Sequence, residues 1–231
     1  MNIKKSFVAA LLMLAATVPT FAGSFVMEDN VASSAKECET ESCTARDSWF
    51  INVAAGPQLL FSDHDKQASL SKRIAPALDI AVGKWFKSGF GARLMYSGLK
   101  AKGATQSGIY STGESLGGRD HGWTSVQEFN FCNIHADVMF NLSELIGDQN
   151  IHKRWASCPY LGVGIAHIYD SPKKNCASFN IGVYNAIRIV EHLDATVDVR
   201  GMFVGDGFDG EKGERKGEGI FSLSIGLAYN F

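Results

Sequence analysis

Beyond its first 22 residues the sequence has no apolar run approaching the ~18–20 residues that a transmembrane helix needs. If the chain lives in a membrane, it crosses as strands. An excess of one charge is also missing. Lys and Arg total 22 against 24 Asp and Glu, interspersed for a net charge of −2, so nothing points to a nucleic-acid partner. The five cysteines (Cys38, Cys43, Cys132, Cys158 and Cys176) make an odd count, which argues against a full disulfide framework. Proline is scarce, whereas glycine and phenylalanine are abundant.

The N-terminus is informative. Lys4 and Lys5 precede an apolar stretch from Phe7 to Val18, Pro19 breaks it, and Thr20-Phe21-Ala22 supplies small residues before Gly23. This is the pattern of a Sec-type signal peptide over 1–22, so the protein leaves the cytoplasm. No Cys stands at the cleavage site, and a lipoprotein is not indicated. Residues 23–47 form a polar leader holding Cys38 and Cys43, where a small disulfide loop suits an oxidising compartment. Metal binding by that pair is less favoured, since no second Cys or His pair stands nearby. Cys132 falls on an apolar stripe and reads as a small hydrophobe.

From residue 48 to 231 the chain alternates with period two, the signature of strands with one apolar face. Trp49, Ile51, Val53, Ala55 and Leu59 share one parity; so do Ile74, Leu78, Ile80 and Val82, and then Phe90, Ala92, Leu94 and Tyr96. The pattern returns at Ile134 to Phe140, Leu161 to Ile165, Phe179 to Val183, Leu193 to Val199 and Phe221 to Phe231. That makes eight strands.

The charges sort by face. Asp79, Arg93, His135, Asp137, Arg188, Asp194, Asp198 and Arg200 all lie on the parity opposite the apolar stripe, crowded with Gly and Ala. A solvent face would more often carry long Lys and Glu. An apolar outside around a cramped polar inside is the arrangement of a transmembrane barrel. The expected fold is therefore all-β: an eight-stranded antiparallel up-and-down transmembrane β-barrel over 48–231. Eight strands leave room only for filling side chains, so the eight charged residues are expected to form a paired lumen plug. A narrow gated ion path is the alternative use of the same residues. A soluble lipid-binding barrel with its faces inverted is the alternative fold.

Aromatics gather near strand ends, with Trp49, Trp85, Phe86, Phe90, Phe140, Tyr229 and Phe231 at one level. Phe61, Tyr96, Tyr169, Phe203 and Phe221 form the other, as interfacial girdles would. The connections 62–72, 98–122 and 204–218 are long, and 87–89 and 190–192 short, with 141–157 a longer exception and 170–176 a shorter one. Outer-membrane barrels place long loops outside and short turns inside. Loops 98–122 and 204–218 are then the segments open to an extracellular ligand, with Tyr110, His121 and Trp123 as anchors in the first.

Motifs for chemistry fail on context. Gly205-Asp206-Gly207-Phe208-Asp209-Gly210 spells GxGxxG, but no helix can follow it. Asp206, Asp209 and Glu211, or Asp63-His64-Asp65, lack the spacing of a calcium loop and read as solvated charges. Ser69-x-x-Lys72 has no companion motif, and His64, His121 and His167 cannot be matched to a serine. No catalytic residue, cofactor or metal site is expected.

The blocks GKWFKSGFGARLMYSGLKAKGAT, NIHADVMFNLSELI, YLGVGIAHIYDSP and RGMFVGDGFDGEKG cover much of 48–231. In these the chain resembles the small eight-stranded outer-membrane barrels of the OmpA/OmpX type, most of all those of Bacteroides-like bacteria. The resemblance implies an outer-membrane location, contact with outer-membrane lipids and a non-enzymatic structural or surface-exposed role. A loop-borne adhesin or ligand-binding protein, a small gated channel, or a lipid-modifying barrel enzyme are the other roles such barrels take. The final AYNF resembles the signal read by the barrel assembly machinery, which gives Tyr229 and Phe231 that role. Many relatives carry a C-terminal peptidoglycan-binding domain; the sequence ends at the barrel, and no such tether is expected.

Overall fold

The computed structural model describes residues 48–62, 68–86, 89–116, 124–142, 155–205, 207–210 and 217–231. The signal segment, the 23–47 leader with Cys38 and Cys43, and Asp63, His64, Asp65, His121, Trp123, Asp206 and Glu211 lie outside the described residues. In chain order the elements are β1 (Trp49–Phe61), α1 (Leu70–Arg73), β2 (Ile74–Phe86), β3 (Phe90–Thr105) and β4 (Ser111–Ser115). Then come β5 (Ser125–Phe140), β6 (Trp155–Ile168), β7 (Lys174–Val190), β8 (Leu193–Val204) and β9 (Glu218–Asn230).

Eight of these strands pair antiparallel in a closed ring. β9 returns to β1 with Phe50 opposite Asn230, Val53 opposite Leu227 and Phe61 opposite Gly219. Closure removes both sheet edges, which is what a strand-built structure needs in lipid. β4 stands apart from the ring as a short flap on the loop end of β5. Among the described residues no helix is long and apolar enough to cross a membrane.

The two faces fall as the alternation requires. Val53, Val82, Leu94, Val138, Val163, Ile225 and Leu227 are exposed on the outside, whereas Asn52, Asp79, Arg93, Asn133, His135, Asp137, Asn180 and Arg200 are buried inside. Lys84, on the outer parity, lies over the rings of Trp49 and Phe86 at the end that carries the first and last strand termini.

Large inward side chains are accommodated by glycine across the strand pair. Phe50 lies opposite Gly83, Asp137 opposite Gly162, His135 opposite Gly164 and Tyr160 opposite Gly182. A Cβ on any of these glycines would collide with the residue facing it. The glycine abundance of the sequence is thus partly a space requirement of a narrow lumen.

Three expectations need correction. Residues 98–122 are not one loop: β3 continues to Thr105, paired with β5 from Lys100–Asn130 to Thr105–Ser125, and β4 occupies 111–115. Polar composition there marks a hairpin that extends beyond the pairing of β3 with β2 and of β5 with β6 rather than irregular chain. The connector expected over 141–157 ends earlier, because β6 begins at Trp155. Trp85 does not belong to the interfacial girdle. It shares inward parity with Asp79 and is 2% exposed, packed in the lumen against Phe50 with ring centroids 5.8 Å apart.

Candidate functional site

The interior is a stack of distinct layers, and the inward residues of β5 run through it in order: Phe129, Phe131, Asn133, His135, Asp137 and Met139. At mid-height stands a charge cluster. Arg93 on β3 donates from Nε to Asp137 Oδ2 at 2.7 Å and from Nη1 to Asp198 Oδ2 at 2.9 Å. Its guanidinium lies 4.2 Å from the centroid of the Tyr160 ring, and the Tyr160 hydroxyl donates to Asp198 Oδ1 at 2.7 Å. His135 Nδ1 and Asp137 Oδ1 are 2.6 Å apart.

Beside it, Arg200 Nη2 donates to Asp79 Oδ1 at 2.8 Å, and Ser224 Oγ donates to the other oxygen of Asp79 at 2.5 Å. Among the described residues, Arg93 Nη2 and His135 Nε2 have no hydrogen-bond partner and are buried. Toward the loop end follows an amide layer, in which Asn133 Nδ2 donates to Asn180 Oδ1 at 2.9 Å and Ser178 Oγ donates to Asn133 Oδ1 at 2.6 Å.

Of the eight charged residues singled out in the sequence, six meet here: Asp79, Arg93, His135, Asp137, Asp198 and Arg200. Arg188 and Asp194 form a separate pair nearer the terminal end, with Nε to Oδ1 at 2.5 Å. Asn230 Nδ2 completes that pair by donating to Asp194 Oδ2 at 2.8 Å. In the middle of the barrel each carboxylate accepts from at least one cation or hydroxyl, the condition under which buried charge is tolerable.

Two apolar clusters flank the charges. At the loop end Leu60, Phe129, Phe131, Ile168, Met202, Ile220 and Phe208 form one buried cluster. Phe208 comes from the turn between β8 and β9 and meets Phe129 and Phe131 edge-on, with ring centroids 5.6 Å apart in each case. At the terminal end Phe50, Trp85, Met139, Cys158, Tyr160 and Tyr184 form the other. Phe129, Phe131, Tyr160 and Phe208 were not singled out from sequence. Parity with His135 and Asp137 marks the first two as inward, and Tyr160 shares the parity of Gly162 and Gly164.

Residues considered for chemistry are dispersed. Lys72 Nζ pairs with Glu114 at 2.7 Å rather than with Ser69, whose hydroxyl lies 3.2 Å from that of Ser71. His167 Nδ1 meets Asn175 Oδ1 at 2.6 Å and its ring packs on Tyr169. Among the described residues no group of three or more His, Cys, Asp or Glu side chains is placed to hold a metal ion. Tyr229 and Phe231 are exposed, with their rings edge-to-face 5.2 Å apart.

No family model matches the chain. Over 201 residues it is 23% identical to outer membrane protein 40 of Porphyromonas gingivalis, an alignment covering 80% of this chain and 47% of that protein. The chain therefore spans about half the length of the curated relative it matches. Among solved structures, Neisserial surface protein A is similar with a TM-score of 0.50 at 13% identity, over 79% of this chain and 97% of that one. The fold is that of a small eight-stranded outer-membrane β-barrel, and the chain resembles those of the OmpA/OmpX type. Ail of Yersinia pestis aligns over 80% of this barrel and 100% of its own chain at 9% identity. Its TM-score of 0.44 is too low to bear on the comparison. In the outer membrane the exposed Val, Leu and Ile side chains of this barrel meet lipid, and the layered lumen is its interior.

Proposed function

We propose that the protein is a non-enzymatic, non-conducting outer-membrane barrel with a structural and surface-exposed role. The observation that carries this reading is the layered lumen, with paired charges held between two clusters of packed aromatic and aliphatic side chains. An ion path needs a continuous polar, hydrated route. Here Phe129, Phe131 and Phe208 stand across it at one end and Phe50, Trp85 and Tyr184 at the other. Asp79, Arg93, His135, Asp137, Asp198 and Arg200 then act as a register-fixing plug, with Arg188 and Asp194 as a second clasp. Lipid contacts alone supply no such specificity.

In this reading residues 1–22 direct export, 23–47 form a leader, and Tyr229 on the last barrel strand and Phe231 just after it are read by the barrel assembly machinery. The loop end faces outward. A second role, binding an extracellular ligand through the hairpin region 98–122 and the segment 204–218, is supported by β4, all five residues of which are exposed.

Cells with and without the protein provide the test. Loss is expected to raise sensitivity to detergent while leaving the lipid A mass spectrum unchanged. A changed spectrum would replace this role with that of a lipid-modifying enzyme.

A further inference from the structure

The turn Gly207–Gly210 is folded into the mouth of the barrel instead of projecting from it. Phe208 is fully buried against Phe129 and Phe131, and Asp209 is 2% exposed. Both oxygens of Glu218 hold the turn: Oε1 accepts from the Gly207 N–H at 2.9 Å and Oε2 from the Asp209 N–H at 2.8 Å. Lys174 on β7 donates to the Gly207 carbonyl oxygen at 2.5 Å. On the far side Gly210 sits against Ile109, a contact that a Cβ would not permit, with Tyr110 just beyond. Tyr110 in turn packs on Phe129 and donates to the Pro172 carbonyl oxygen at 2.5 Å.

We propose that Phe208 and Glu218 form a plug and latch that reversibly closes the outer mouth of the barrel, and that release of the latch exposes the aromatic recess beneath Phe208. This goes beyond the structural role above and does not depend on it. Among the groups that hold the turn are two neighbouring buried carboxyls, those of Asp209 and Glu218.

The latch is sensitive to pH. Glu218 lies beyond the lipid-facing band of β9, which runs from Phe221 to Tyr229. Its burial, and then the adjacent Asp209 carboxyl, push it up to about 9. The titratable and charged groups around the latch are Asp209 on the turn itself, Lys174 and Cys176 on β7, and Tyr110 ahead of β4. The closed turn retains a proton that a solvated Glu would release. Closure is therefore at full strength below the ordinary carboxylate range near ~4, weakens as pH rises, and is lost through about 9. Above that, two charged carboxylates face each other at the latch.

Chymotryptic cleavage after Phe208 reads the open state directly. The full-length chain, folded in detergent micelles and checked for heat-dependent gel mobility, is digested at pH 7 and pH 9.5, with a free peptide correcting for the protease's own pH dependence. The wild type is expected to be cut at least tenfold faster at pH 9.5. Asp209→Asn is expected to show a smaller rise than the wild type between the two values, because the burial of Glu218 remains, and Glu218→Ala to be fast at both. Equal rates for the wild type at the two values, or an unchanged rate for Glu218→Ala, would overturn the proposal. A Glu218→Ala barrel that lost its heat-dependent mobility would leave the decision to the wild type and Asp209→Asn.

Discussion

Tyr160 lies directly across the sheet from Gly182, and a Cβ on that glycine would stand 2.5 Å from the ring carbon bearing the hydroxyl. The ring occupies the space a side chain at 182 would take, and so reaches both Asp198 and the underside of Arg93. Gly182→Ala should push Tyr160 out of that position and loosen both contacts. The expected loss is about 1–3 kcal/mol, the usual cost of overpacking. Urea unfolding in micelles measures it, and Gly205→Ala, with open space around its Cβ, is a control expected within about 0.5 kcal/mol of wild type.

Arg93 answers two carboxylates at once. Among the described residues, Arg93→Met leaves Asp198 with the Tyr160 hydroxyl and Asp137 with His135 as hydrogen-bond partners. A broken buried pair of this kind costs about 3–5 kcal/mol. Neutralising the stranded acids as well, with Asp137→Asn and Asp198→Asn, should recover part of the loss. A triple variant no more stable than Arg93→Met would show that the arginine acts through packing on Tyr160 and not through charge.

Depth in lipid sets the cost of a charge on the outer face. Ile225, midway along β9 and 65% exposed, should lose about 2–4 kcal/mol on replacement by Arg, whereas Phe221→Arg near the band's edge should lose about 0–1 kcal/mol. Folding yields into lipid vesicles give the comparison. Equal costs at the two positions would mean that this face does not meet a hydrocarbon core.

Much of the fold was legible because a strand has period two: once Val53, Val82, Leu94 and Ile225 share a face, Asn52, Asp79, Arg93 and Ser224 must share the other. Closure and location were carried by the aromatics and by the resemblance to outer-membrane barrels. What parity could not supply was register. That Tyr160 faces Gly182, or that Arg93 reaches across to Asp198, depends on how strands slide past one another over long sequence separations. Trp85 was misplaced because an aromatic near a strand end suits a girdle by composition, although its parity with Asp79 already turned it inward. Phe208 gave no periodic signal at all, since it sits in a turn rich in glycine and acid. Its burial depends on Glu218 gathering the turn's N–H groups.

The sealed lumen is tested most directly by single-channel recording in planar bilayers. A barrel closed at both ends gives no steady conductance steps. Phe208→Ala should remain silent as well, because Phe50, Trp85 and Tyr184 still close the other end. Stable ohmic steps from the wild-type protein would contradict the sealed interior and turn the charged layer from a plug into a path.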